Sequence, residues 1–331
     1  MGKNTSCEIT VLLAQYNPDY KKLIGTINSV LIQKNVRYEI IICDDGSKEN
    51  YFKQVEDYFR KKEFTEYKLV TLEKNQGTVK NLINGINAAK GQYVKLISPG
   101  DFLYDENTLS EIVRFMKKNN AKIAYGNVVR FENKESTIIT HTESLPRNNK
   151  IYRKKKYPFR KILKNMLLYW DWIIGASLIY ERLQFVQLMG EIDGKVKYVE
   201  DLITFTAIAD EIKIFHLNRF VVWYEWGSGV STSGNHFWAE QIARDKDAVY
   251  KLLYKKHPDN QIIRRAYFNN RNRLMKNKIK KNILTILLSP GKVWYFMIGR
   301  LALYKKDKTN VNDEMLKYYL GEGGENMETG R

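Results

Sequence analysis

Cysteine is nearly absent: Cys7 and Cys43 are the two in 331 residues. That excludes a disulfide scaffold and a cysteine-rich zinc site. A secretory opening is missing too. Met1–Ser6 is short and polar, and Glu8 interrupts any apolar run, so a reducing cytoplasm is the expected compartment. No GxGxxG or GxxxxGK[ST] pattern occurs, which argues against dinucleotide-binding and P-loop readings. No nucleic-acid recognition motif accompanies the basic residues, so a nucleic-acid partner is not expected. The most apolar stretch, Asn282–Tyr304 (NILTILLSPGKVWYFMIGRLALY), does not read as a membrane span. Pro290 and Gly291 break it, and Lys292 and Arg300 divide it, whereas a crossing needs ~20 mostly apolar residues.

What is present is enough apolar material for a core. Hydrophobic residues make up 44% of the chain, which excludes disorder over most of its length. The length suits two units, or one large α/β domain with an extension. Lys and Arg number 55 against 37 Asp and Glu, a net charge of +18. That charge is concentrated. Arg147–Lys164 carries nine Lys/Arg and no acid, and Lys251–Asn310 carries 16 Lys/Arg and two acids, leaving the remainder mildly acidic. Local basicity of this kind fits an anionic membrane surface or a phosphate-rich ligand, and equally a solvated face with a basic tail.

Strand-like and helix-like segments alternate through the first 130 residues. Glu8–Ala14, Tyr38–Cys43, Tyr67–Leu72 and Gln92–Ser98 read as strands. Asp19–Gln33, Glu49–Lys62 and Thr78–Ala89 read as helices. Strands separated by helix-length stretches imply a mainly parallel sheet with helices on both faces. Ligands of such sheets sit beyond the carboxyl ends of the strands. All four predicted strands end there in polar turn sequences: Gln15-Tyr16-Asn17-Pro18, Asp44-Asp45-Gly46-Ser47, Lys74-Asn75-Gln76-Gly77 and Ser98-Pro99-Gly100-Asp101. One such loop is ordinary turn chemistry; four at one edge point to a shared site.

Six segments in this order, VLLAQYNPDYKKLIGTINSVLIQ, YEIIICDDGS, NQGTVKNLINGINAAKGQYVKLISPGD, GASLIY, YVEDLITF and WYEWGSGVSTS, resemble family 2 glycosyltransferases of the GT-A fold. The likeness runs from about residue 8 to 235, and the last segment is similar to bacterial enzymes that build capsule and O-antigen polysaccharides. It implies a fold of α/β class: a Rossmann-like, mostly parallel sheet with helices on both faces, plus a mainly helical C-terminal extension. It also implies inverting transfer of a sugar from a nucleotide donor, a UDP-sugar, to an acceptor hydroxyl.

The donor-binding residues implied by the resemblance are Ala14, Tyr16, Asp45, Lys80, Ser98 and Asp101, with Asp44 shaping the turn. Tyr16 is suited to stack on a base. The family's arginine in the third loop is replaced by Leu82, with Lys80 nearby. Where the family carries two or three aspartates around Asp-x-Asp, this chain retains Asp101 alone, so dependence on a divalent metal, Mn²⁺ or Mg²⁺, rests on one carboxylate; such ions often take only one or two. His236 is a weaker candidate ligand. In Tyr198-Val199-Glu200-Asp201-Leu202, the resemblance makes Asp201 the general base and Glu200 its supporting acid. Trp170, Asp171 and Trp172 are acceptor-contact candidates. Trp226–Ser233 reads as a mobile loop over the diphosphate, its glycines permitting close backbone approach.

The expected organisation is a catalytic domain over 1–240, a basic and mostly helical region over 241–320, and a disordered tail over 321–331. The middle region suits either a helix pair lying in a membrane interface or an appendage packed on the catalytic domain or a second subunit, so a homo-oligomer stays open. The expected acceptor is a growing, lipid-linked surface glycan at the cytoplasmic membrane face. The alternative is a catalytically silent nucleotide-sugar-binding subunit, motivated by the aspartates missing at Ser98 and Gly100.

Overall fold

The computed structural model describes residues 6–134, 137–142, 145–227, 236–272, 278–298, 311 and 313–321. The first half alternates strand and helix: β1 (Ile9–Gln15), α1 (Tyr20–Leu31), β2 (Tyr38–Asp44), α2 (Phe52–Lys61), β3 (Tyr67–Thr71), α3 (Thr78–Asn87) and β4 (Tyr93–Ile97). Next come β5 (Phe102–Leu103), α4 (Thr108–Asn119), β6 (Ile123–Lys134), β7 (Thr137–His141), α5 (Phe159–Tyr169), β8 (Leu178–Glu181), α6 (Arg182–Ile192), α7 (Ile203–Ala209) and β9 (Ile214–Glu225). Helices follow: α8 (His236–Lys256), α9 (Gln261–Asn272), α10 (Lys278–Leu288), α11 (Lys292–Ile298) and α12 (Glu314–Leu320).

The strands form one mixed sheet in the order β3-β2-β1-β4-β8-β6-β9-β5, with β7 paired to β6. The strands β1–β4 are mutually parallel. β8 runs against both β4 and β6, and β5 runs against β9, so the second half of the sheet is less regular than the first. In β1 the side chains alternate between two cores. Ile9, Val11 and Leu13 join Ile40 and Ile42 beneath α1, α2 and α4, while Leu12 joins Ile41 and Cys43 beneath α3. Burial on both faces is why these strands read as continuous apolar runs.

The register sets the site edge. Leu13 lies opposite both Ile42 and Ile97, so three strands end together. Asp44, fully buried, ties these ends. Its carboxylate accepts from Gln15 Nε2 at 3.2 Å, Ser47 N at 2.9 Å, Ser47 Oγ at 2.5 Å and Thr71 Oγ1 at 3.0 Å. β1, β2, β3 and the following turn thereby share one acceptor.

The basic C-terminal stretch divides into separate helices. α8 stops before His257–Asn260, where Pro258 lacks an amide donor, and Asn260 Oδ1 starts α9 by accepting from Ile262 N at 3.0 Å. The apolar stretch is a helix pair, α10 and α11, separated at Pro290-Gly291. Among the described residues, no helix is long and apolar enough to cross a membrane. α12 returns to the first half of the fold. Leu316 and Tyr319 close a small core with Phe102, Phe131 and Trp223. Gly25 of α1 permits this approach, because a Cβ there would stand 2.8 Å from Tyr319 O. Of the tail expected to be disordered over 321–331, Gly321 caps α12 at φ +75°, and residues 322–331 lie outside the described residues.

Replacing Asp44 by Ala leaves several buried donors without an acceptor. The expected cost is about 2–4 kcal/mol of folding stability, measured by urea denaturation.

Candidate active site

A cleft of about 550 Å³ opens beyond the carboxyl ends of β1, β2 and β4, and Ala14, Tyr16, Asp45, Ser98, Asp101, Glu200 and Asp201 all line it. Tyr16 follows β1 and is 51% exposed, leaving a ring face available for stacking. Asp45 follows β2. Its Oδ1 accepts from Gln76 N at 2.7 Å and its Oδ2 from Gly77 N at 2.9 Å, so it pins the third loop beside the cleft. Burial pushes the Asp45 carboxyl up, and these two amides pull it down. Gly77, at φ +95°, fits only because it has no side chain: a Cβ would lie 2.5 Å from Lys197 O. Asn81 bridges β1 and β2, donating to Gln15 O at 3.3 Å and Cys43 O at 2.8 Å.

Asp101 sits in the tight turn after β4, where Asp101 N donates to Ser98 O at 3.0 Å. Its Oδ1 accepts from Glu225 N at 3.1 Å. Burial, the leading cause, raises its carboxyl to about 7. The Glu225 carboxylate lies alongside: a Cβ on Gly100 would be 2.5 Å from Glu225 Oε2. Lys22 of α1 donates to both Glu225 oxygens, at 2.6 and 2.7 Å. Beneath the turn, Lys95 is fully buried in β4 and donates to Leu96 O at 2.8 Å and Ala176 O at 2.5 Å. Burial lowers its ammonium to about 8, while Asp101 opposes that shift.

A cation at this corner has Asp101 and, beside it, Glu225 to bind. Among the described residues no group of three or more His, Cys, Asp or Glu side chains could hold a metal ion. The pair therefore fits only a Mg²⁺- or Mn²⁺-like ion that takes its remaining ligands from a phosphate-bearing substrate and water.

Glu200 and Asp201 lie in a 3₁₀ turn running into α7. The preceding backbone is clamped by Asp245 of α8, a buried carboxylate that accepts from Lys197 N at 3.0 Å, Tyr198 N at 2.7 Å and Val199 N at 3.0 Å. On the other side Gly175 leaves room for both acids: a Cβ there would be 3.4 Å from Asp201 Oδ2 and from Glu200 Oε1. Burial raises both carboxyls, and the Asp201 charge raises Glu200 further. The Lys246 ammonium pulls Asp201 down. The Lys246 charge thus favours the ionised form of Asp201.

Other predicted residues stand apart from the cleft lining. Lys80 pairs with Asp193 at 2.8 Å. Asp171 is buried, accepting from Arg147 N at 2.8 Å and Tyr295 Oη at 2.5 Å. Lys292 Nζ lies 3.5 Å from the Trp170 ring centre and Lys246 Nζ 4.7 Å from that of Trp172. His236 is exposed at the start of α8, 3.8 Å from Glu240. Residues 228–233 of the expected loop lie outside the described residues.

The cleft also holds groups that sequence reasoning did not single out: Lys22, Glu225, Tyr198, Trp238 and Ile242. Tyr198 and Trp238 meet edge to face at 5.0 Å. Trp238, Ile242 and the Asp245 clamp make α8 part of the site, although a boundary at residue 240 divides that helix. The buried Lys95 beneath the Asp101 turn was signalled in the sequence, as a lone cation in the apolar strand Tyr93–Ile97.

The sheet order and the place of the cleft define an α/β fold of the GT-A class. Among solved structures, Staphylococcus aureus TarS 1–349 in complex with UDP-GlcNAc aligns with a TM-score of 0.56 over 95% of this chain and 92% of that one, at 17% identity. A second TarS 1–349 crystal structure gives a TM-score of 0.53. Residues 10–176 match the model of glycosyl transferase family 2, and the chain belongs to that family. It is 26% identical over 159 residues to the Escherichia coli UDP-Glc:alpha-D-GlcNAc-diphosphoundecaprenol beta-1,3-glucosyltransferase WfgD, covering 47% of this chain and 55% of that protein. It is 32% identical over 130 residues to the Staphylococcus epidermidis poly-beta-1,6-N-acetyl-D-glucosamine synthase, covering 39% of this chain and 30% of that one. The chain thus spans about half or less of the length of these relatives.

Substituting Asp245 by Asn replaces one acceptor oxygen with a donor facing backbone N–H groups. Amides 197–199 are expected to lose protection by about tenfold or more in hydrogen exchange, while the β1–β4 amides keep theirs.

Proposed function

We propose that this chain is an inverting glycosyltransferase that moves a sugar from a UDP-sugar to a hydroxyl of a growing, lipid-linked bacterial surface glycan. The observation that carries the reading is the convergence of Tyr16, Asp45, Asp101, Glu200 and Asp201 on one cleft. The family match supports transfer, the UDP-GlcNAc complex of TarS supports the donor class, and the named acceptor of WfgD supports a lipid diphosphate-linked glycan.

In this reading Tyr16 stacks on the uracil, an interaction of ~1–3 kcal/mol. Asp45 borders the base, and its oxygens retain lone pairs beyond the two amides they already accept. Asp101, with Glu225 beside it, would hold a divalent cation, which offsets diphosphate charge when bound. Lys22 and the buried Lys95 add fixed positive charge at the same corner. Asp201 accepts the proton of the acceptor hydroxyl. The acceptor oxygen then bonds to the anomeric carbon from the face opposite the phosphate, the bond from that carbon to the phosphate oxygen breaks, and UDP departs with the electron pair. Glu200, whose carboxyl is raised by burial and by the Asp201 charge, stands beside it as the supporting acid. Tyr198 and Trp238 present aromatic surface for sugar rings. Trp170, Asp171 and Trp172 act on the acceptor side through the segment leading to Gly175, and Lys80, on α3, belongs to the donor side.

Asp201→Asn is expected to lower kcat by ~10²–10⁴ while the melting shift produced by UDP is retained. Retained UDP binding with no turnover of any UDP-sugar by the unaltered chain would instead favour the silent subunit. Turnover unchanged in Asp201→Asn would remove that residue as the base.

The pH profile gives a second check. A general base works deprotonated, and burial raises Asp201, so activity should fall with decreasing pH at a value above the ordinary carboxylate range. Lys246→Met removes the charge that opposes this rise. Its acid limb should therefore move to higher pH, read from kcat against pH.

A further inference from the structure

The helix pair α10–α11 carries a row of exposed apolar side chains. On α10, Ile279, Ile283, Ile286 and Leu287 fall at the i, i+4, i+7, i+8 spacing of one helical face. On α11, Trp294 and Met297 are exposed as well. Ile279 is 72% exposed, Leu287 63% and Trp294 65%, so among the described residues nothing covers this face. The inward side is well held. Ser289 accepts from Asn269 Nδ2 at 3.1 Å, and Tyr295 stacks on Tyr169 at 5.0 Å while donating to Asp171. The exposed row is thus displayed on a fixed support.

A second cavity, of about 1160 Å³, adjoins this row, and Trp294 belongs to both. Its cations come from two helices: Arg160, Lys161 and Lys164 on α5, and Arg265 on α9. Among the described residues lining it, Glu211 is the one acid. Tyr157, Phe159, Tyr169 and Tyr295 supply aromatic walls. The α5 cations belong to the stretch Arg147–Lys164, which carries nine Lys/Arg and no acid. An apolar face alone has no chosen partner. An apolar face bordered by a cationic, aromatic-walled cavity matches the interface of an anionic bilayer, where acyl chains meet phosphate headgroups.

We propose that α10 and α11 insert their exposed apolar face into the surface of an anionic membrane, and that the adjoining cavity receives the phosphate of a lipid headgroup. The geometry links this surface to the active site. Tyr295 of α11 is bonded to Asp171, and four residues further on Gly175 abuts Asp201 and Glu200. A bilayer held by α11 therefore lies on the side of the cleft reached by the Trp170–Gly175 segment.

The test uses the full chain with vesicles of phosphatidylcholine, alone or mixed with phosphatidylglycerol, in co-sedimentation. Binding is expected to be at least tenfold tighter to the anionic vesicles. The double variant Ile283→Asn/Leu287→Asn should lose most binding to them. The variant Lys161→Ala/Arg265→Ala should lose the preference for phosphatidylglycerol while leaving residual attachment. All variants should keep the wild-type circular dichroism and the melting shift given by UDP, which separates this result from any failure of the proposed transferase. Quenching of tryptophan fluorescence by brominated lipid, lost in Trp294→Tyr, would place α11 in the acyl region. No vesicle binding overturns the proposal. Binding abolished by salt but indifferent to the apolar variant overturns insertion. Equal binding to neutral and anionic vesicles, or no effect of the cavity variant, overturns the headgroup site. A dimer in sedimentation equilibrium that dissociates in the apolar variant, with no vesicle attachment, assigns the face to a second copy and overturns it too.

Discussion

The shared register of β1, β2 and β4 is the constraint on which the site depends. Leu13 opposite Ile42 and Ile97 makes three chain segments leave the sheet at one level. Side-chain period is two, so a one-residue slip would turn a whole strand's apolar set to the wrong face. Two cores, one on each side of the sheet, oppose such a slip. The polar loops inherit their relative height from this apolar pairing. Asp44 then turns a common level into a common structure, because its single carboxylate serves three strands. Asp45, one residue on, is left pointing its hydrogen bonds across to the third loop.

Charge balance is the second organising feature. The cleft gathers Asp45, Asp101, Glu200, Asp201 and Glu225, yet the proposed donor is itself an anion. Burial lessens this conflict by favouring the neutral acid at Glu200. Fixed lysines lessen it further, and each sits on a different element: Lys22 on α1, Lys95 on β4, Lys246 on α8. Their placement sets Lys22 and Lys95 by Glu225 and Asp101, and Lys246 by Asp201.

Much of this was legible in the sequence because it is local. Strand runs such as YEIIIC are buried on both faces, and turn residues mark where each ends. The four polar loops could be assigned to one edge from the alternation of elements alone. What was not legible is long-range. Glu225 joins Asp101 only because β9 crosses back to that edge, 124 positions later. Asp245 reads as one charge on an exposed helix until the fold sets it against the amides of 197–199. Asp171 reads as an acceptor contact beside two tryptophans, whereas packing buries it against Arg147 and Tyr295. The mixed second half of the sheet was likewise hidden, because β8 has four residues and gains its identity from neighbours on both sides.

The return of α12 to α1 bears on how the molecule matures during synthesis. Phe102 directly follows Asp101, and Tyr319 stacks on it at 5.3 Å. Domains tend to form as the chain emerges from the ribosome, but this corner cannot be sealed until residues beyond 311 have been made. The nascent chain therefore carries Phe102 and Trp223 without their lid while most of its fold is already complete. The proposed phosphate corner closes only after every earlier described element of the fold has been made.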